Sequence, residues 1–174
     1  MQIQARHRGF TLLEVLIALL VFSLGLLGMA GLLILSVKAN HSAYLRTQAS
    51  FLAQSMADRM RANIPRVWTA DYDQDYPTGD TDPCTSGGTC SRADVATRDK
   101  AMWSTQLTDF LPNAAATIAC TPNAGATVTA LDQENGAPYD GMCNMVITWS
   151  EATLDRDAGD TTPVTQTFAW TFQP

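Results

Sequence analysis

Histidine is almost absent from this chain. The two histidines are His7 and His41, both in the first quarter of the sequence, so no imidazole is offered beyond residue 41 for acid–base catalysis or for zinc. The four cysteines are spaced too widely to form the short Cys-x-x-Cys pairs of a zinc site. We therefore expect no enzyme and no cofactor.

Clusters of lysine and arginine are also missing. The chain has 11 basic and 17 acidic residues and a net charge of −6. A nucleic-acid-binding protein needs a basic surface that meets the phosphates. We therefore expect no nucleic acid among the partners.

Charge is absent from residues 15 to 37, which form a run of 23 uncharged and mainly apolar residues. A helix of that length spans roughly 34 Å, enough for the hydrocarbon core of a bilayer. The run is longer than the about 7–15 apolar residues of a cleaved secretory signal. Arg6, His7 and Arg8 precede it, which predicts a cytoplasmic N-terminus and a head on the far side of the membrane.

Glu14 is the only charged residue between Gly9 and Lys38. A carboxylate at bilayer depth costs up to about 2.5–3.5 kcal/mol, so it is functional by default and needs a partner. If the chain were cut after Gly9, the new amine on Phe10 would lie one helical turn before Glu14. Glu14 would also lie in the first turn, where the helix dipole favours an anion. The alternative is an ordinary signal anchor with an incidental glutamate.

The sequence Gly9-Phe10-Thr11-Leu12-Leu13-Glu14-Val15-Leu16 resembles the class III signal of type IV pilins and type II secretion pseudopilins. The resemblance implies a leader over residues 1–9, cleavage by prepilin peptidase between Gly9 and Phe10, and N-methylation of Phe10. It further implies that Glu14 meets the N-terminal amine of a neighbouring subunit during filament assembly. Loss of the leader removes two of the basic residues and leaves a net charge of −8.

An amphipathic stretch follows the apolar run. The sequence places apolar residues three or four positions apart on one helical face, at Leu45, Ala49, Leu52, Met56 and Met60. No proline occurs before Pro65. These features predict one continuous helix from about Phe10 to Asn63, with a transmembrane half over residues 10–37 and an amphipathic half over residues 38–64.

Residues 65–90 are rich in Asp, Gly, Thr, Ser and Pro, a composition that predicts a loop. Asp71, Asp73 and Asp75 have the spacing that opens an EF-hand calcium loop. Tyr76 stands where that loop needs glycine, so calcium is a weak hypothesis and a solvated loop is the default.

The cysteines are expected to be oxidised if the head lies in an oxidising compartment. They are Cys84, Cys90, Cys120 and Cys143. Four cysteines permit three pairings, which sequence alone does not distinguish. The short separation of the first two favours Cys84–Cys90 together with Cys120–Cys143.

The rest of the head, within residues 65–174, shows two periodicities. Ser91 and Asp94 form a helix start signal, and apolar residues continue to Leu111 before Pro112. Later residues alternate, weakly over Ala126–Leu131 and clearly over two runs, Cys143–Trp149 and Val164–Phe172. A polar hairpin connection is expected over Leu154–Pro163. We predict an α+β fold with the long helix, a second short helix and a small antiparallel sheet packed on the amphipathic half.

Within the pilins, the chain resembles the PilV group of minor pilins. The features are the segment Leu24–Gly31, the cysteine pair before a helix with Trp103, the Leu111-Pro112 stop, and the strand ending at Trp149. The resemblance implies a minor pilin that helps to initiate pilus assembly with other minor and major pilins. It implies a single-pass position in inner-membrane lipid with a periplasmic head, then in the pilus at the cell surface. A minor type II secretion pseudopilin and an adhesive module at the pilus tip are the alternatives.

Overall fold

The computed structural model describes residues 9–85, 89–125, 128–152 and 163–174. The described elements, in chain order, are α1 (Leu12–Ala62), α2 (Ile64–Trp68), β1 (Gln74–Tyr76), α3 (Arg92–Phe110), β2 (Ala115–Thr121), α4 (Ala130–Glu134), β3 (Met142–Ala152) and β4 (Pro163–Phe172). The predicted α+β fold, a long N-terminal helix with a small antiparallel sheet, is confirmed. The chain divides into two compact units, the first ending at Ser42 and the second covering Ala43–Pro174.

The described part of the first unit, residues 9–42, consists mainly of the apolar part of α1. The large side chains from Phe10 to Val37 are exposed. This helix is long and apolar enough to cross a membrane, with a mean hydropathy of 2.6 over its most apolar 18 residues, none of them buried. A helix surface with this many exposed leucines is favoured in lipid rather than in water.

The second unit is built on the outer part of α1. The five residues of the predicted apolar face are all buried, and Ala53 and Ala57 complete that face. The small alanines allow close approach of the neighbouring elements, while Met56 and Met60 fill the space between them. The prediction of one uninterrupted helix is therefore confirmed, with its end at Ala62, before Pro65 in the first turn of α2.

The short helix predicted in the head is α3, which packs against α1. It begins at the predicted capping box, in which the Ser91 hydroxyl accepts from the Asp94 N–H and the Asp94 carboxylate accepts from the Ser91 N–H. Trp103 is fully buried, and its indole N–H donates to the Leu52 carbonyl at 2.9 Å. This bond fixes the register of α3 along α1 because the carbonyl belongs to one turn of the helix only.

The sheet is a four-stranded antiparallel meander in the order β1-β2-β3-β4. Cys143, Met145, Ile147 and Trp149 point from β3 into the core, as their alternation predicts. On β4 the inward side chains become more buried towards Phe172, and the intervening threonines are exposed. The hairpin connection over Leu154–Pro163 lies outside the described residues except for Pro163, which pairs with Ala152.

Four elements differ from the expectation. Residues 65–90 contain α2 and the short strand β1 rather than loop alone. The described end of the predicted strand Ala126–Leu131 is helical, because Thr129 caps α4 through Asp132. β2 was not predicted, since its inward residues Ala116 and Ile118 give only a weak apolar alternation.

Candidate functional site

The segment before α1 is open. Gly9 and Phe10 precede the helix, Phe10 is 83% exposed, and a Cβ added at Gly9 would meet no atom within 4 Å. A peptidase needs an accessible peptide bond, and the bond between Gly9 and Phe10 lies outside the helix between two exposed residues. Cleavage at this bond stays a prediction.

Thr11 caps the helix. The Glu14 N–H donates to the Thr11 carbonyl at 3.1 Å and to its hydroxyl at 3.2 Å, and the Val15 N–H donates to the same carbonyl at 3.3 Å. Thr-x-x-Glu is the spacing of a capping box. The cap holds Glu14 in the first turn of α1, where unpaired backbone N–H groups favour a negative charge.

Glu14 lacks an ion-pair partner within the described ranges, where all the salt bridges lie in the second unit. The side chains around it on α1 are apolar, among them Val15, Ala18 and Phe22. A carboxylate in this setting is ready to pair with a cation supplied from outside the helix. Arg6, His7 and Arg8 lie outside the described residues.

The cysteines form Cys84–Cys90 and Cys120–Cys143, which is the pairing favoured from the sequence. Cys120 and Cys143 are directly opposite each other on β2 and β3, with Cα atoms 3.9 Å apart. Cys143 is fully buried. This disulfide links β2 to β3 on the core side of the sheet, whereas Cys84–Cys90 closes a short loop before α3.

The three aspartates of the calcium hypothesis bind different partners. Asp71 pairs with Arg66 at 3.5 Å, Asp73 accepts from the Cys120 N–H at 2.9 Å, and Asp75 accepts from the Thr117 hydroxyl at 2.8 Å. Across the described part of the chain no three His, Cys, Asp or Glu side chains come together as a metal site. The alternation of the chain into β1 separates the three carboxylates instead of wrapping them around one ion.

Asp73 is the unusual member of this group. Burial raises the pKa of its carboxyl, and the bond from the Cys120 N–H only partly offsets that effect. One of its oxygens is buried without a hydrogen-bond partner among the described residues. Asp73 therefore links the residue before β1 to β2, although burial disfavours the charged form of its carboxyl.

A buried polar network joins α1, the segment before β1, and α3, and sequence reasoning missed it. Arg59 pairs with Asp99 at 2.9 Å, Tyr72 donates to Asp99 at 3.1 Å, and Asn63 donates to Tyr72 at 3.3 Å. Burial raises the pKa of the Tyr72 hydroxyl. A signal was available, because Asp99 lies four residues before Trp103, on the apolar face of α3.

These features fit one class of protein. The described residues combine a membrane-length helix, one carboxylate in its first turn and a disulfide-bonded head, as expected of an anchored structural subunit. The known families agree: residues 4–30 match the prokaryotic N-terminal methylation motif, and residues 31–101 match the model described as type IV pilin Tt1218.

The two matches follow each other without a gap and support a type IV pilin that is processed by prepilin peptidase and assembled with other pilins. Type IV pilins are structural proteins, and this chain is not an enzyme. The methylation motif and the apolar helix fit a membrane-anchored subunit that later enters a pilus. No curated protein and no solved structure matches the chain.

Proposed function

We propose that this chain is a minor type IV pilin of the PilV type. Prepilin peptidase cuts it between Gly9 and Phe10 and methylates Phe10, and the helix then enters the growing pilus with other minor and major pilins. The head faces the periplasm before assembly. The contiguous methylation and pilin matches support the pilin class, while the PilV assignment rests on the resemblance of the Leu24–Gly31 segment and the head.

Glu14 is the observation that carries the proposal. It is capped into the first turn of an apolar helix and has no cationic partner in the described part of the chain. A charge in the bilayer costs up to about 2.5–3.5 kcal/mol, which pairing with an amine would recover in part. Cleavage of a neighbouring subunit after Gly9 creates such an amine on its Phe10. The apolar segment itself, residues 15–37, contains no cation.

The test replaces the Glu14 carboxylate with an uncharged amide of nearly the same shape. Glu14→Gln should be cut and methylated normally, since the Gly9–Phe10 junction is intact, and should reach the membrane. It should fail to enter sheared pili because it cannot pair with the amine. Intact mass spectrometry reads processing, and quantitative immunoblotting of membrane and pilus fractions reads assembly.

Asp58→Asn is the matched control, because Asp58 is an exposed carboxylate on the same helix whose ion pair with Arg61 is a surface pair. It should assemble like the parent chain. Assembly of Glu14→Gln at the parent level, or a leader still attached to the chain in pili, would contradict the proposal.

Deletion of the gene tests the minor pilin assignment. We expect loss of surface pili and of twitching motility, and far fewer copies of this chain than of the major pilin in sheared filaments. Both follow if the subunit starts assembly rather than forms the shaft. Loss of secreted hydrolases with normal piliation would instead identify a pseudopilin.

A further inference from the structure

β4 has one unpaired edge. It pairs with β3 over ten residues, from Pro163 to Phe172, and it is last in the sheet order. Among the described residues, no backbone group outside β3 bonds to it. A strand edge of this length presents a row of free N–H and C=O groups that another strand can pair with.

The two edges of this sheet differ in their protection. β1 is three residues long, carries the exposed Asp75, and is followed directly by Pro77. Shortness, charge and proline are the usual means of preventing edge-to-edge pairing. The chain thus protects one edge by all three means.

β4 has almost none of them. No charged residue occurs from Pro163 to Pro174, and the only proline of the strand is its first residue. Its pairing with β3 runs one to one without a bulge. Because the outward side chains are small and uncharged, mainly Thr165, Thr167, Ala169 and Thr171, nothing on β4 repels an incoming strand.

The direction of the second unit's part of α1 argues against a second β4 as an antiparallel partner. Arg46 donates to the Gln166 side chain at 3.2 Å and Arg61 to the Gln173 carbonyl at 3.3 Å, so the outer part of α1 runs along β4 in the same direction. The Arg61 guanidinium also lies 6.0 Å from the centre of the Phe172 ring. Fifteen helical residues and seven strand residues both span about 22–23 Å, which fits this alignment.

Antiparallel pairing of two β4 strands in one sheet places a two-fold axis perpendicular to the sheet. That axis would reverse the direction of α1 in the second copy. The chain enters this unit at Ala43, so in such a pair the two entry points would lie at opposite ends of the paired strands. Two subunits whose chains enter from one membrane cannot pair in this way.

We propose that the free edge of β4 takes an extended, uncharged strand from a different pilin subunit, which lengthens the sheet by one strand. Backbone hydrogen bonds supply the affinity in this mode of recognition. A charged side chain on the outer face of the added strand would find no counter-charge on β4. The inference rests on the proposed function, because it requires an assembly of non-identical pilins.

Site-specific photocrosslinking tests the proposal in piliated cells that carry the full chain. p-Benzoylphenylalanine replaces Ala169 on β4 and, as a matched control, Ala119 on β2; both alanines are exposed on the outer face of the sheet. Ala169 should yield an adduct whose crosslinked peptide maps to an uncharged segment of another pilin, and Ala119 should yield none. Adducts only with a second copy or lipid, no adduct, or equal yields at both positions would overturn the proposal.

Hydrogen exchange separates strand addition from side-chain contact. In the crosslinked complex, β4 amides that gain a partner should exchange slower by roughly an order of magnitude, with β2 amides unchanged. Unchanged exchange in β4 would overturn the proposal. Thr167→Lys, an edge-protecting change, should abolish the adduct, while Asn144→Lys on the same face of β3 should retain it; the opposite result would also overturn it.

Failure of this inference is distinguishable from failure of the proposed function. If Glu14→Gln is excluded from pili as expected and the Ala169 probe gives no pilin adduct, the pilin function stands and the strand addition is wrong. If the Glu14 variant assembles normally, the proposed function fails whatever the crosslinks show.

Discussion

The two disulfides should contribute unequally to the stability of the head. In the chain-entropy model, stabilisation rises with the length of the closed loop. The separations are 23 residues for Cys120–Cys143 and 6 for Cys84–Cys90. The model then gives about 3.4 kcal/mol for the first and about 2.2 kcal/mol for the second.

The perturbation is Cys120→Ala with Cys143→Ala, and the matched control is Cys84→Ala with Cys90→Ala. The difference in unfolding free energy between the two double variants should exceed the chain-entropy difference alone. The reason is that Cys143 is fully buried, so its replacement leaves a small cavity in the core. Cys84–Cys90 closes a loop outside the core cluster, so its loss should cost little beyond the chain-entropy contribution.

Tryptophan fluorescence measures the effect in the full chain in detergent. All four tryptophans follow Ser42, at positions 68, 103, 149 and 170, so denaturant unfolding monitored by their emission reports on the head. The free energy of unfolding should fall by at least about 1 kcal/mol more for the Cys120 and Cys143 pair than for the control pair. An equal or larger loss in the control would refute the loop-length reasoning.

Two further predictions concern the same unit. Gly141→Ala should destabilise the head by roughly 1–3 kcal/mol or more, because the added Cβ would lie 2.1 Å from the Thr121 carbonyl oxygen. The control Gly79→Ala, whose Cβ would meet no atom within 4 Å, should be nearly neutral in the same unfolding assay. Comparable losses in the two variants would contradict this prediction. Burial raises the folded-state pKa of Asp73 above 3.8, so the folded head binds this proton more tightly and the residue's contribution to stability declines as pH rises through the window above 3.8. Asp73→Asn should flatten that decline, while the exposed control Asp75→Asn should keep it, and an unchanged slope in the Asp73 variant would contradict the assignment.

The long helix and its buried face could be predicted because each depends on a pattern along one segment. The spacing of Leu45, Ala49 and Leu52 is a helical period, and Ser91 with Asp94 marks the start of α3. The alternation over Cys143–Trp149 likewise identifies β3, because its inward residues are apolar and two of the three residues between them, Asn144 and Thr148, are polar.

The rest of the head depends on partners far along the chain. β1 is a strand only because it pairs with β2, whose partner residues come 40 to 44 positions later. The aspartates of this segment made it resemble a loop. The Arg59–Asp99 pair crosses 40 residues, so neither residue alone indicates it. The candidate site at Gly9, Phe10 and Glu14 could be proposed from local sequence alone, and it stays a prediction, as does the pairing of Glu14 with an amine.

The alignment of α1 with β4 has a consequence for the order of folding. The Arg46–Gln166 contact spans 120 residues, while the bond from Trp103 to Leu52 spans 51. Contacts that close shorter loops form at lower entropic cost, so α3 is expected to settle on α1 first. The side of α1 that meets β4 then stays uncovered until that strand has been made, so a chain interrupted before Gln166 would leave this side of α1 exposed.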